Sequence, residues 1–579
     1  MVRQVKKHKI RPFRSLGFFF SRIFATPVKY SKLVWHIFSR LQPWFSILVA
    51  LAISLPLVYA ADQIINLSNS QTTVTHTYRE GVLGNFTNID PLPLIPTDKQ
   101  LSQLNRDVTR LLLDPLFSTS SDGNLIGMIA DTYTIQEGGA KFIITLKDRN
   151  WSDGTQITID DVLATFQNIK NIGENSLYFS SLDGVTLTKV DDRTMLFSLD
   201  VANSAFLESL SWPILPAKYA VLNYDNLLIS SFGKNPISST GWLIENINTT
   251  YVKLNNASLV KSIEFVFYNT YADLDKALNA GLIDGYYSLD KISDKQFSSV
   301  SEYPLVRQLY SLYFNVAASG SVLTDPNIRK AISYGINRNE VVGDLGVSRQ
   351  SIISDNSWAF NPSVNTYAYV IQKAGQLLDN AGYKLDNNNM REINGKVIQF
   401  TLSVPDTNTK IRLAKKIQSD LKQIGIKVDI KAIKDSEVVD NERKSNIFYN
   451  TIVLTKNFEA MIFAVDSGLD PDKFSQWHSS RIPKVDTSTG NVTVGLNFSG
   501  YASNRVDQFL FLGRKESDKD KRKTPYFQFQ KVFYEDAPVY TLYNPYLFYV
   551  KSDRIQNVDF SGAIKIEDRF INFDKWRLG

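Results

Sequence analysis

The sequence predicts a mixed α/β fold with more than one domain, preceded by one N-terminal transmembrane helix. Runs of alternating apolar and polar residues, typical of strands, occur among amphipathic stretches that are typical of helices. The length of 579 residues allows several domains, because an ordinary domain uses about 100–200 residues. One long apolar stretch near the amino terminus predicts the transmembrane helix.

The transmembrane helix is predicted from residues 43–61, which read PWFSILVALAISLPLVYAA and contain no charged residue. At about 1.5 Å per residue, this stretch is long enough to cross a hydrocarbon core of about 30 Å. Residues 1–43 carry ten Lys and Arg and no Asp or Glu, so the positive-inside rule places them in the cytoplasm. We therefore expect a basic cytoplasmic segment at 1–43, a single-pass anchor at 44–61, a polar stalk at 62–75 and an extracytoplasmic remainder.

Two features of this region allow other interpretations. Val58-Tyr59-Ala60 before Ala61 resembles the site at which a signal peptide is cut, although a basic leader of 43 residues is long for a cleaved signal. Residues 13–38 intersperse aromatic and aliphatic residues with Arg and Lys, as in a helix lying along an anionic inner leaflet. A disordered basic tail is the alternative for that segment.

The charge distribution argues against a nucleic-acid partner. The chain has 64 Lys and Arg and 58 Asp and Glu, for a net charge of +6. Because ten of the basic residues belong to residues 1–43, the rest of the chain has a net charge of −4. A nucleic-acid-binding domain needs its positive charge on the folded part, and here the charge is elsewhere.

The residue types needed for common catalytic and metal sites are scarce. The chain has no cysteine, which excludes disulfides, thiol nucleophiles, thiolate metal sites and a cysteine-linked lipid anchor. Of its four histidines, only His76 and His478 fall outside the predicted cytoplasmic segment. The HExxH, GxSxG, GxxxxGK[ST] and GxGxxG motifs are absent. We therefore expect no cofactor and no metal, and a binding protein rather than an enzyme.

The alternation of strand and helix signals supports the α/β class. Thr158 precedes a predicted helix and has an acidic residue, Asp161, three positions later, which is a capping-box pattern. A strand, a long helix and a second strand at 397–404, 409–424 and 427–433 predict a βαβ unit. Other predicted elements are strands at 141–147 and 263–268, helices at 162–170, 272–280 and 373–380, and a hairpin at 185–198.

Three long segments, in order, carry a recognisable pattern. They are ADTYTIQEGGAKFIITLKDRNWSDGTQITIDDV at 130–162, LYFNVAASGSVLTDPNIRKAISYGINRNEVV at 312–342 and GLDPDKFSQWHSS at 468–480. Together with shorter collinear matches over nearly all of residues 76–575, they resemble the family 5 extracellular solute-binding proteins, the oligopeptide and dipeptide receptors of ABC importers.

The resemblance implies a two-lobed clamp of the type II periplasmic-binding-protein class with an extra domain. We expect residues 76–310 and 480–579 to form the first lobe, with an inserted subdomain at about 110–215. Residues 311–479 are expected to form the second lobe. The ligand would lie between the lobes, and hinge closure would bury it.

The resemblance also implies the function. A member of this family captures short peptides through main-chain hydrogen bonds and delivers them to an ABC permease and its ATPase. We expect this chain to do so as a monomer. The alternatives are a non-peptide ligand such as an oligosaccharide, haem or a nickel complex, and a cell-envelope enzyme that uses Asp466 or His478 as a base.

Asp466, in FAVDSGLDPD, lies where the family commonly has an acidic residue that pairs with the amino terminus of the peptide. A carboxylate in a closing cleft needs a cation, which a peptide ammonium would supply. Here Ser467 replaces an aromatic residue and one residue is inserted before Asp470-Pro471, so capping of a turn is the alternative role. The further candidate ligand-binding residues, whose side chains fit a buried core equally well, are Tyr313, Phe314, Asn315, Trp358, Trp477 and His478.

Overall fold

The computed structural model describes the part of the chain from His76 to Leu578. Within that range it leaves out residues 87, 94–102, 122, 174–175, 177, 260, 292–298, 365, 435, 441–442, 486–491 and 494. The predicted cytoplasmic segment, transmembrane anchor and stalk lie outside the described residues. Among the described helices, none has the length and apolar character needed to cross a bilayer.

Twenty-seven strands and fourteen α-helices are present in the described ranges. The helices are α1 (Gln103–Leu112), α2 (Ile159–Ile172), α3 (Phe206–Ser209), α4 (Ala217–Ala220), α5 (Tyr224–Ile229), α6 (Ser231–Lys234), α7 (Tyr271–Asn279), α8 (Pro326–Gly335), α9 (Arg338–Val342), α10 (Ile371–Asn380), α11 (Asn408–Lys422), α12 (Phe474–Trp477), α13 (Asn504–Lys515) and α14 (Lys519–Asp536).

The strands are β1 (His76–Leu83), β2 (Phe117–Thr119), β3 (Leu125–Gly127), β4 (Ala130–Gln136), β5 (Lys141–Leu146), β6 (Val185–Lys189), β7 (Thr194–Leu199), β8 (Trp242–Ile247), β9 (Tyr251–Asn256), β10 (Lys261–Tyr268), β11 (Gly285–Ser288), β12 (Val300–Pro304), β13 (Gln308–Phe314), β14 (Gly346–Ser348), β15 (Lys384–Leu385), β16 (Arg391–Ile393), β17 (Lys396–Val397), β18 (Gln399–Pro405), β19 (Lys427–Ile433), β20 (Ser436–Asp440), β21 (Arg443–Asn446), β22 (Ala460–Asp466), β23 (Lys484–Val485), β24 (Val492–Thr493), β25 (Val539–Lys551), β26 (Ile555–Gln556) and β27 (Arg577–Leu578).

Twelve strands form one mixed sheet that runs through the molecule. Its order is β19-β18-β22-β13-β25-β11-β1-β10-β9-β8, and β12 and β14 also pair with β25. A separate antiparallel sheet, β4-β5-β7-β6, belongs to the predicted inserted subdomain. Several neighbours in the large sheet are far apart in sequence, such as β1 and β10, β11 and β25, and β13 and β25.

Most of the predicted elements occur where local patterns place them. The strand predicted at 427–433 is β19 with the same bounds, and the predicted βαβ unit is β18-α11-β19, whose two strands pair in parallel. The hairpin predicted at 185–198 is β6-β7. At the start of α2 the backbone N–H of Thr158 donates to Asp161 Oδ2 at 2.9 Å, which is half of the predicted capping box.

Two large hydrophobic cores lie in the described part of the chain. The first core takes its buried side chains from residues 78–265 and 549–576, and the second takes them from residues 309–543. The predicted lobe boundaries stay a prediction, and the buried side chains of residues 498–543 belong to the second core.

Strand β25 is shared by both cores. Residues 539–543 pair with β13 and contribute to the second core, whereas residues 548–551 pair with β11 and Tyr549 contributes to the first core. Eleven of its thirteen residues are buried. The two halves of the molecule are therefore joined through continuous main-chain hydrogen bonding.

A buried network of ion pairs lies within the first core and is centred on Arg569. Arg569 Nε donates to Glu80 Oε1 at 2.8 Å, and its Nη1 and Nη2 donate to the two carboxylate oxygens of Asp107 at 2.8 and 2.6 Å. Tyr78 and Tyr549 donate to the other oxygen of Glu80. None of the three charged side chains is accessible to water. Arg569 therefore connects β1, α1 and the carboxyl-terminal segment.

The substitution Arg569→Met should lower the free energy of unfolding by about 3–5 kcal/mol, because it leaves two buried carboxylates without their cation. Chemical denaturation followed by tryptophan fluorescence measures the change. The matched control is Arg577→Met, which removes the charge of an exposed arginine in the same terminal segment and should have almost no effect. A change of less than about 1 kcal/mol for Arg569→Met would contradict the assigned role.

Candidate functional site

The candidate site lies at the edge of the large sheet where the parallel strands β18 and β22 end. Asp466 is the last residue of β22 and pairs in register with Gln308, the first residue of β13. Arg307 directly precedes β13. In parallel α/β sheets, ligands bind outside the carboxyl ends of the strands, so this edge is the expected location of a cleft.

Arg307 joins the two cores at this edge. Its Nε lies 2.9 and 3.2 Å from the two carboxylate oxygens of Asp466, and its Nη1 donates to Glu208 Oε1 at 3.0 Å. Glu208 belongs to α3, whose Phe206 and Leu207 are buried in the first core, whereas β22 contributes to the second core. One guanidinium therefore holds carboxylates from both halves of the molecule.

Glu208 also fixes the loop that follows Asp466. The backbone N–H groups of Leu469 and Asp470 donate to its two oxygens at 3.0 and 3.1 Å. The loop turns at Gly468, whose φ of 60° is unfavourable for other residues, and the Gly468 N–H donates to Asp466 Oδ1 at 3.0 Å. The main chain at 466–470 is therefore held by charge-assisted hydrogen bonds.

The rest of the loop is held by further ion pairs. Asp470 pairs with Arg522 on α14 at 2.8 Å, and Asp472 pairs with Arg514 on α13 at 2.6 Å. Lys473 is almost completely buried, and its Nζ donates to the carbonyls of Ser467 and Asp470. Burial lowers the pKa of Lys473 although four carboxylates around it act in the opposite direction.

Asp466 is ionised at neutral pH. Desolvation by the surrounding loop would raise its pKa, but the charges of Arg307 and Lys565 and the hydrogen bonds from Arg307 and Gly468 outweigh this effect and lower the pKa. About half of the side-chain surface of Asp466 remains exposed. The carboxylate therefore faces solvent while its charge is already compensated by a cation of the protein.

A second cation lies at the same sheet edge. Lys410, in the first turn of α11, donates to the Tyr543 hydroxyl at 3.0 Å, and its Nζ lies 3.5 Å from the ring centroid of Tyr310. The neighbouring Thr409 hydroxyl donates to Asp290 Oδ1 at 2.6 Å. Asp290 follows β11, so this contact links the start of α11 to the segment after β11.

The predicted site residues on β13 lie in the core. Phe314 is fully buried, and Tyr313 stacks on Trp477 with 6.0 Å between ring centroids. Asn315 donates to the carbonyls of Lys456 and Phe458. Their roles as ligand contacts stay predictions, and the structure gives each of them a packing partner within the second core.

Trp477 and His478, which are consecutive in the chain, also pack against aromatic side chains of the protein. Trp477 is buried against Phe533, with 4.6 Å between ring centroids. His478 stacks on Phe474 with 4.0 Å between ring centroids, and desolvation together with Arg481 and Arg514 lowers its pKa while Asp507 opposes the shift. We therefore expect a neutral imidazole at pH 7.

Trp358 lies away from Asp466 in sequence and packs against α14. Its ring meets Tyr526 edge-on, with 6.2 Å between centroids, and the Arg522 guanidinium lies 5.4 Å from the ring centroid. Because Arg522 also pairs with Asp470, Trp358 is connected to the loop after Asp466 through one intermediate residue.

In the described ranges, no group of three or more His, Asp and Glu side chains is arranged so that it could hold a metal ion. The residues that organise the site were not found by sequence reasoning. Glu208 and Arg307 are 99 positions apart, and neither belongs to a motif. Of the residues that organise the site, only Asp466 was predicted from the sequence, and that prediction came from the family resemblance.

Comparison with known proteins agrees with this architecture. The sequence profile described as bacterial extracellular solute-binding proteins, family 5 (middle part), matches residues 124–482. The chain is 25% identical over 467 residues to the oligopeptide-binding protein AppA of Bacillus subtilis, covering 76% of this chain and 82% of AppA. It is 22% identical over 411 residues to the nickel-binding periplasmic protein of Escherichia coli, covering 66% of this chain and 78% of that protein.

A solved structure shows the same fold. The oligopeptide-binding protein AppA from Bacillus subtilis in complex with a nonapeptide superimposes with a TM-score of 0.66 at 19% identity, covering 87% of this chain and 99% of AppA. This likeness confirms the predicted α/β periplasmic-binding-protein fold. With more than half of its length matched by the family profile, the chain belongs to the family 5 bacterial extracellular solute-binding proteins.

Proposed function

We propose that this chain is an extracytoplasmic substrate-binding protein that captures short peptides between two lobes and delivers them to an ABC permease. The observation that carries the proposal is the contact at the sheet edge where Arg307 binds Asp466 from one core and Glu208 from the other. Segments of both cores meet there, at the carboxyl ends of β18 and β22, where α/β proteins of this kind bind ligands.

The choice of peptides as ligands follows from the family and from the polar main chain at the site. The first of the relatives described above is named for oligopeptides, and its solved structure contains a nonapeptide. A peptide is recognised mainly through main-chain hydrogen bonds, which tolerate different side chains. The carboxyl ends of β18 and β22 would supply such groups, because the main chain of the loop at 466–473 is already hydrogen-bonded within the protein.

A nickel complex is the second candidate because one relative is named for nickel. It is less favoured because the described residues contain two histidines, His76 and His478. The ring of His478 stacks on Phe474 and its Nδ1 forms a hydrogen bond with the Ser480 hydroxyl.

Catalysis by Asp466 as a base is also less favoured. The ion pair with Arg307 lowers the pKa of this carboxylate and so weakens it as a proton acceptor at neutral pH.

Residues 44–61 are proposed to anchor the chain to the cell membrane with the binding part outside. The basic residues at 1–43 would remain in the cytoplasm under the positive-inside rule. Since the chain has no cysteine for a lipid, an uncleaved helix is the attachment that its sequence offers.

Short peptides should raise the thermal stability of the full chain in detergent micelles. A ligand that binds only the folded state, at about 100 times its Kd, stabilises the protein by about 2.7 kcal/mol. Thermal-shift screening against pools of di- to decapeptides, followed by isothermal titration, measures this effect. Equimolar mixtures of the same free amino acids are the control and should cause no shift. An absence of response to every pool would contradict peptide binding.

The double substitution Leu51→Arg/Ile53→Arg should release the chain from membranes. Each arginine near the centre of a transmembrane helix costs about 2.5–3.5 kcal/mol of insertion free energy. Alkaline carbonate extraction should leave the unchanged chain in the membrane pellet and move the variant to the supernatant. Exchange of Ser54 for Ala is the control. An amino terminus at residue 61 or 62 in the mature protein would instead indicate a cleaved signal.

A further inference from the structure

We infer that the peptide cleft accepts ligands whose amino terminus carries no charge, such as N-acylated peptides, as readily as peptides with a free ammonium group. The inference rests on the proposed function, because it concerns the ligand of the same site. It starts from Asp466, the acidic residue that the family resemblance assigns to the peptide ammonium and that Arg307 already occupies.

The hydrogen bonds of Asp466 show what kind of donor the site can still accept. A carboxylate offers about four acceptor positions. Oδ1 accepts from Arg307 Nε and from the Gly468 N–H, and Oδ2 accepts from Arg307 Nε at 3.2 Å. About half of the side chain is exposed, and Oδ2, which accepts one hydrogen bond, has the acceptor position that is still open. The N–H of an acylated amino terminus supplies one neutral donor, which suits this position.

The charges around Asp466 leave no surplus of negative charge for an ammonium. Four carboxylates surround the loop, and each of them has a cation among its partners. The carboxylates are those of Glu208, Asp466, Asp470 and Asp472, and the cations are Arg307, Lys473, Arg514, Arg522 and Lys565. Asp568, which also faces Arg307, is paired with Arg110. The cations therefore equal or exceed the carboxylates before any ligand enters.

Displacing Arg307 would bring no net gain to a ligand ammonium. The ammonium would have to lose its hydration and replace two Arg307–Asp466 hydrogen bonds, while Arg307 would keep only Glu208. Glu208 also accepts the N–H groups of Leu469 and Asp470, so Arg307 would be left with a carboxylate whose charge is already shared with two backbone donors. The exchange replaces one cation by another at the same carboxylate and adds the dehydration of the ligand.

The test compares pairs of peptides that are identical except for a free or an acetylated amino terminus. Isothermal titration with the full chain in micelles should give Kd values that agree within about threefold for each pair, since a difference of that size is below 1 kcal/mol. In Arg307→Gln, Asp466 loses its ion-pair partner, and we expect the free peptide to gain at least about tenfold over its acetylated partner, as for one charged hydrogen bond.

Two control variants separate this effect from disturbance of the loop. Arg514→Gln removes the cation of Asp472 in the same loop without touching Asp466, and its Kd ratio should stay near that of the unchanged chain. Arg307→Lys keeps the positive charge and should also leave the ratio close to one.

The outcomes distinguish the inference from the proposed function. If the unchanged chain binds peptides but prefers the free ammonium by about tenfold or more, the inference is overturned and peptide binding stands. If no peptide of either kind binds, the proposed function fails and the inference fails with it. The ratio for the unchanged chain decides the matter even if Arg307→Gln does not fold.

Discussion

Strand β25 imposes the main constraint on this molecule, because one continuous strand contributes buried side chains to two hydrophobic cores. Its first five residues pair with β13 and its last four pair with β11, and nearly all of its side chains are buried. Two further strands pair with β25, β14 at residues 543–545 and β12 at residues 546–550. The two cores therefore meet along shared main-chain hydrogen bonds, and Arg307 adds a polar contact between them where β13 begins and β22 ends.

The charged site follows from that arrangement. The carboxyl ends of β18 and β22 bring Asp466 to the sheet edge, and α3 of the first core brings Glu208 to the same place. Two carboxylates at a partly desolvated junction repel each other unless a cation lies between them. Arg307, which directly precedes β13, is placed to supply that cation, and the guanidinium fork suits two acceptors at once. The position of the arginine is thus a consequence of the strand order.

Local patterns in the sequence predicted the elements well but could not predict the site. The capped helix α2, the hairpin β6-β7 and the unit β18-α11-β19 depend on residues close together in the chain, so alternation and capping signals were sufficient. The family resemblance made Tyr313 a candidate ligand contact, but the sequence does not say whether another side chain or a ligand covers its ring. Trp477 covers it. The contact of Arg307 with Glu208 joins residues 99 positions apart, and nothing local encodes it.

The contacts that bring the two cores together at the site are made by the protein itself. Glu208 accepts hydrogen bonds from Arg307 and from two backbone N–H groups of the loop after Asp466, so the approach of the cores at this point does not require a charged group from the ligand. If the chain works as proposed, closure and ligand recognition are separable, because the walls of the cleft can vary while the contact of Arg307 with Glu208 and Asp466 is kept. Relatives of this fold that are named for an oligopeptide and for nickel are consistent with such a separation. Under the proposed function, a ligand would meet in Asp466 a hydrogen-bond acceptor whose charge Arg307 already balances, and the shape and main-chain groups of the cleft would decide what binds.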